Sequence, residues 1–163
     1  MKRVFTGKVW KYGDNVNTDV IFPGKYTYQK MEPGEMAKHA LEDLDPAFAG
    51  QVREGDIIVA GKNFGMGSSR EQAATAIKAA GVSLIIAKSF ARIYFRNAIN
   101  AGMPAIKSEE AVQVIENGDK ITVDMEKGKI QTKKGVFPFP PYPKTVLEIL
   151  DKNGLIGYIK SKI

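Results

Sequence analysis

Between residues 57 and 87 the chain reads IIVAGKNFGMGSSREQAATAIKAAGVSLIIA: two apolar runs flanking a glycine-rich turn and an alanine-rich segment. Ile57–Ala60 and "VSLIIA" (82–87) are short and rich in β-branched residues, as fully buried strands are. The alanine-rich segment predicts a helix from near Ser69 to Ala80, stopped by Gly81. The next segment, "SFARIYFRNAINAG" (89–102), has apolar residues at 90, 93, 94, 98 and 101 and ends at Gly102, with Pro104 beyond. That spacing predicts a second helix, and Met103–Ile106 a further strand. Strand–helix–strand–helix–strand is a crossover unit on a parallel sheet, so the fold class is α/β.

Working outward, residues 3–10 mix β-branched and aromatic residues and predict a strand. Residues 11–31 carry turn formers and three tyrosines with no sustained period, and read as a long loop. Pro33-Gly34 opens a predicted helix reaching Leu44. Ser108 is placed to cap a helix over "EEAVQVIENG" (109–118). "KITVDMEKGKIQT" (120–132) predicts a hairpin turning at Glu126-Lys127-Gly128. "VFPFPPYP" (136–143) reads as a proline-rich crossover, "KTVLEILDKNG" (144–154) as a helix, and "LIGYIKSKI" (155–163) as a docked apolar tail. The 163 residues fit one domain.

Composition narrows the chemistry. There is no cysteine and one histidine, His39. A disulfide, a thiolate-bound metal or cluster, and a multi-histidine metal site are therefore excluded within this chain. No apolar run approaches the ~20 residues of a membrane span, and "MKRVFTGKVW" lacks the apolar core of a signal peptide. A cytoplasmic location is expected. The formal charge is +6, but the basic residues are dispersed, unlike a nucleic-acid-binding arm. Such an excess either draws in small polyanions, dicarboxylates among them, or an acidic partner, or is a solvated basic surface.

The turn at 61–70 fails two phosphate motifs. A P-loop needs lysine and then Ser or Thr after its last glycine; here Ser68-Ser69-Arg70 follows Gly67. A dinucleotide fingerprint needs a small third residue where "GMGSSR" has arginine. An anion cradle of another kind remains. Helix N–H groups and the dipole face the ligand, Arg70 offers a fork matched to a carboxylate, and two hydroxyls stand beside it. The structural alternative is that a serine caps the helix while Arg70 pairs with a nearby acid. Asn17, Thr18 and Asp19 read as an Asx-type turn. His39 reads as a surface partner of Asp43, four residues on. Trp10 and Tyr142 fit either core or interface.

Three blocks carry a family resemblance. "GKNFGMGSSREQAA" (61–74) resembles the serine-arginine motif of the aconitase superfamily's swivelling domain. "YGDNVNTDVIFPGKY" (12–26) and "SFARIYFRNAINAGMPAI" (89–106) resemble flanking motifs of the separate small subunits of isopropylmalate isomerase and related hydro-lyases. The resemblance implies a β/β/α three-layer swivelling-domain fold. It implies an enzyme that moves a hydroxyl between neighbouring carbons of a malate-type acid by dehydration and rehydration, a step of leucine biosynthesis. Ser68 then matches the serine that takes a proton from the carbon beside a carboxylate, and Ser69 and Arg70 match positions binding substrate carboxylates. Asn17, Thr18, Asp19, Gly65 and Gly67 become supporting residues. A 4Fe–4S cluster is expected on a separate large subunit, none on this chain, which alone would be silent. Without its partner, a homo-oligomer is one form such a chain can take.

In this family the 24–31 region contacts the part of the substrate that tells one acid from another. Here it reads "GKYTYQKM": no arginine, but Tyr26, Thr27, Tyr28 and Met31. An apolar, aromatic lining suits an isopropyl group, because a buried charge needs a partner. Lys25 and Lys30 keep open the alternative of a homoaconitase-type tricarboxylate or a methylated malate. Arg92 and Arg96, four apart on their helix, read as a solvated face, the alternative being contact with the large subunit.

Overall fold

The computed structural model describes residues 3–163. Seven strands form one sheet: β1 (Val4–Lys11), β2 (Ile57–Ala60), β3 (Leu84–Ala87), β4 (Ala105–Lys107), β5 (Lys120–Asp124), β6 (Lys129–Thr132) and β7 (Gly135–Pro138). Their order is β4-β3-β2-β1-β5-β6-β7. From β4 to β1 the neighbours are parallel; from β1 to β7 they are antiparallel. β1 joins the two halves by dividing its pairing. Val9–Lys11 register with Ile57–Val59 of β2, and Val4–Lys8 with Asp124–Lys120 of β5.

The helices are α1 (Thr18–Ile21), α2 (Pro33–Ala37), α3 (Phe48–Gln51), α4 (Glu71–Ala79), α5 (Arg92–Asn100), α6 (Glu109–Val114), α7 (Lys144–Asp151) and α8 (Leu155–Ser161). β2–α4–β3–α5–β4 is the α/β unit expected from the sequence. The strand alternation splits the core in two, since successive side chains point to opposite faces. Ile58, Ala60, Ile85 and Ala87 pack against Ala73, Ala76, Ile77 and Ala98 of α4 and α5. Ile57, Val59, Leu84 and Ile86 pack against Ala111 and Val112 of α6 and against Ile121, Val123 and Ile130. The alanines of α4 let that helix lie close to the sheet.

Several expectations are corrected. The helix predicted over 34–44 stops at Ala37, because Leu41 takes φ 56 and its N–H bonds the carbonyl of Ile21 at 2.8 Å. The 11–31 loop contains α1 and a 3-10 turn at Gly24–Tyr26. The proline-rich segment holds an edge strand, β7, ending on Pro138, where an edge tolerates the missing N–H. The tail is a helix, α8, set off from α7 by Gly154. Trp10 is buried and Tyr142 is half-buried. The Trp10 indole donates to Asp56 at 2.8 Å and packs edge-on to Phe48. The Tyr142 hydroxyl accepts from the Ala105 N–H at 2.9 Å. Among the described residues no helix is long and apolar enough to cross a membrane.

Candidate functional site

The turn after β2 and the turn after β3 both leave the carboxyl ends of parallel strands, where α/β sheets bind ligands. They are laced together. Phe64 N–H bonds Ser89 O at 3.1 Å, Ala91 N–H bonds Phe64 O at 2.9 Å, and Asn63 N–H bonds Ser89 Oγ at 2.9 Å. The loop after β1 lies along the other side. Asn15 N–H bonds Lys62 O, Gly65 N–H bonds Val16 O, and Thr18 N–H bonds Met66 O, at 2.7, 2.7 and 2.9 Å. Asn17 caps α1 through its side chain, accepting from Val20 N–H at 3.0 Å, as the Asx-turn reading expected. Thr18 Oγ1 donates to Ser68 O at 2.9 Å. Three loops distant in sequence thus fix the backbone carrying the two serines.

Between the 65–70 turn and the start of α5 lies a cleft of about 380 Å³, within the range of small-molecule sites. Thr18, Gly65, Gly67 and Ser68–Arg70 line one part; Ala91–Tyr94, Arg96 and Asn97 line the other. No Asp or Glu lines it. The Tyr94 ring is buried beside Gly65, and burial pushes its phenol well above the ordinary tyrosine value, so it stays neutral.

The serine cap of the alternative reading is not formed. α4 begins at Glu71, two residues later than expected, with extended Arg70 at the cap position and no side-chain cap bond. Ser68 and Ser69 are exposed, and among the described residues neither hydroxyl has a hydrogen-bond partner. Arg70 does pair with an acid. Its Nη1 donates to Thr27 Oγ1 at 2.9 Å, its Nη2 meets Asp19 Oδ1, and its buried Nε has no partner among the described residues. The Arg70 side chain is 9% exposed and that of Asp19 68%. Gln72 Nε2 donates to Thr27 O at 3.1 Å, a second tie between α4 and this loop.

That geometry sets an asymmetry. Asp19→Ala removes a largely solvated partner and is expected to cost about 0.2–1 kcal/mol. Arg70→Ala removes a packed side chain and strands Thr27, at about 1–3 kcal/mol. Urea denaturation of both variants checks this; equal losses would mean that the ion pair alone holds Arg70.

The loop tyrosines sit elsewhere. Tyr26 stacks on His39 with ring centroids 4.2 Å apart, and its hydroxyl donates to Glu42 at 3.2 Å. Tyr28 is 99% exposed. Of the 24–31 residues, Thr27 hydrogen-bonds Arg70 and Gly24 backs closely onto Asp19 and Arg70. His39 Nδ1 lies 3.0 Å from Glu42 Oε1, with Glu35 at 3.8 Å from Nε2. Asp43 is not its partner, because the helix breaks before it. The His39 hydrogen bond, with lesser help from Tyr26 and Lys25, holds the Glu42 carboxyl below the ordinary glutamate value.

A family model for the aconitase C-terminal domain matches residues 8–111. The chain belongs to that family. Every residue lining the cleft falls within the matched aconitase C-terminal span. The 3-isopropylmalate dehydratase small subunit of Aquifex aeolicus is 52% identical over 166 residues, covering 100% of this chain and 98% of that protein. The small subunit 1 of the same enzyme from Thermotoga maritima is 53% identical, covering 94% and 93%. A crystal structure of 3-isopropylmalate dehydratase from Methanocaldococcus jannaschii matches with a TM-score of 0.91 at 42% identity, covering 98% and 95%.

Arg92 and Arg96, read from the sequence as a solvated face or a contact with the large subunit, are exposed as the first reading expects. Both also line the cleft that the serines line. Their four-residue spacing placed them on one helix face; no pattern in the sequence told which loop that face meets.

Proposed function

We propose that this chain is the small subunit of a 3-isopropylmalate dehydratase, a hydro-lyase interconverting 2- and 3-isopropylmalate by dehydration and rehydration, active only with a large subunit. The observation carrying this reading is the serine pair, with both hydroxyls unpartnered among the described residues, on an acid-free cleft. The full-length relatives named for that subunit support it.

Ser68 takes the proton from the carbon beside a substrate carboxylate. A serine is a weak base at neutral pH, so its alkoxide must be favoured by its surroundings. Three arginines and no carboxylate line the cleft, and α4 opens two residues beyond Ser69. A preorganised positive setting stabilises charge that develops on the oxygen. Ser69 and the Arg70 region hold carboxylate. Thr27 acts through Arg70, while Tyr26 and Tyr28 stand outside the cleft. Lys25 lies 3.9 Å from Glu42 and over the Tyr26 ring, and is not among the residues lining the cleft.

A 4Fe–4S cluster belongs, on this reading, to the large subunit. This chain has no cysteine, and among the described residues no three His, Asp or Glu side chains gather as metal ligands. Its own residues do not fit a cluster.

The test is an oxygen-free pull-down from the native host with this chain as bait. The eluate is assayed on isopropylmalate, homocitrate and citrate. An iron-containing partner and turnover of isopropylmalate alone are expected. A folded bait that recovers no such partner, or turnover of homocitrate or citrate instead, would overturn the assignment.

A further inference from the structure

We propose that Arg92 and Arg96 form a second carboxylate subsite, in the same cleft as the serine turn, which holds the far carboxylate of a small dicarboxylic acid. The inference deepens the functional reading above and rests on it. Two observations and the chemistry of the proposed substrate carry it.

First, the cleft holds three arginines and no acid. Arg70 is already met by Asp19 and Thr27. Arg92 and Arg96 are exposed, and neither has a hydrogen bond or ion pair to any described residue. They are the uncompensated charges of the cleft.

Second, they stand where α5 disfavours them. Arg92 is the first residue of the helix, no acid lies in the first turn, and no side chain caps it. Cations at a helix N-terminus oppose the dipole, and like charges four apart repel. A merely solvated face has no need of that arrangement, and local conflicts of this kind gather at functional sites.

Third, a malate-type acid has two carboxylates, and the serine turn accounts for one. An anion between Arg92 and Arg96 offsets the like-charge repulsion and the unfavourable end of the dipole together. Guanidinium groups match a carboxylate in bidentate fashion. Asn97, on the same part of the cleft, adds a neutral donor.

The test uses the enzyme assembled with its large subunit, and the isolated chain beside it. In the assembled enzyme, Arg92→Gln and Arg96→Gln are each expected to raise KM for isopropylmalate about 10- to 100-fold, as loss of a charge-assisted hydrogen bond does. kcat should move less, subunit affinity should not change, and Arg96→Lys should recover part of the loss. In the isolated chain, succinate is expected to shift the amide resonances of residues 66–70 and 92–97, and the double Gln variant to abolish the shifts. An unchanged KM with weakened subunit association would overturn the subsite, making the arginines a docking patch for an acidic surface of the large subunit. An unchanged KM and unchanged association would overturn it as well. If the wild-type pair does not turn over isopropylmalate, the functional reading fails by itself, and the succinate titration alone decides the subsite.

Discussion

Ser68→Ala, assembled with the large subunit, is expected to lose about 10²- to 10⁴-fold in kcat, the usual contribution of a positioned base, while its unfolding midpoint stays within a degree or so of wild type. The two halves of this expectation come from different atoms of one residue. The backbone is held by Thr18 Oγ1 on the Ser68 carbonyl, which the substitution leaves in place. The hydroxyl has no partner among the described residues, so its removal strands no buried group and stability is unaffected. If the oxygen acts only in the transition state, kcat and kcat/KM fall together. Exchange of the substrate's carbon-bound proton with solvent should slow by the same factor. Ser69→Ala, by contrast, should act mainly on KM, since that hydroxyl is assigned to binding. An assembled Ser68→Ala enzyme with full kcat would sink the base role and leave the cleft a binding site only.

The central unit was readable because its signals are local. Ile57–Ala60 and Leu84–Ala87 are uninterrupted apolar runs, and Gly81 and Gly102 follow the helices with φ 108 and 84. Where the reading failed, a tertiary contact overrode a local pattern. The stripe Met36, Ala37, Ala40, Leu41 and Leu44 has helical spacing, yet the helix ends early. Leu41 instead turns into the core and bonds Ile21 O. That break also separates His39 from Asp43 and gives it Glu42. Pro138 and its neighbours hid β7, since prolines count against a strand unless it lies on an edge, and sheet order cannot be read from one segment. In the site, the serine turn announced itself by composition. The placing of Arg92 and Arg96 in the same cleft depends on how the turn after β3 hydrogen-bonds to Phe64 and Asn63, information spread over two segments 26 residues apart. Tyr26 and Tyr28 were read as lining because aromatic residues suit an isopropyl group. A partner for Tyr26, the His39 ring, lies on the following segment.

The glycines of the turn separate two physical costs that the sequence presents as one. Gly65 has φ 86 and Gly67 φ 99, so alanine at either adopts a conformation unfavourable for a side chain, at about 1–2 kcal/mol. Only at Gly65 is the space also taken. A Cβ there would stand 2.1 Å from Tyr94 Cγ and 2.3 Å from Tyr94 Cβ, whereas at Gly67 the nearest atom is Thr18 Oγ1 at 3.4 Å. Tyr94 cannot withdraw easily. Its ring is buried, packs edge-on to Phe64 at 5.3 Å, and lies in the core shared by α4 and α5. The turn cannot withdraw either, because Gly65 N–H is bonded to Val16 O at 2.7 Å. Gly65→Ala is therefore expected to lose about 2–5 kcal/mol, strain and overpacking together, or roughly 5–20 °C in Tm for a chain of this size. Gly67→Ala should lose only the strain, about 1–2 kcal/mol. Paired thermal melts measure the difference. Equal losses at the two glycines would mean that backbone conformation alone governs the turn, and that Tyr94 does not brace the serines from beneath.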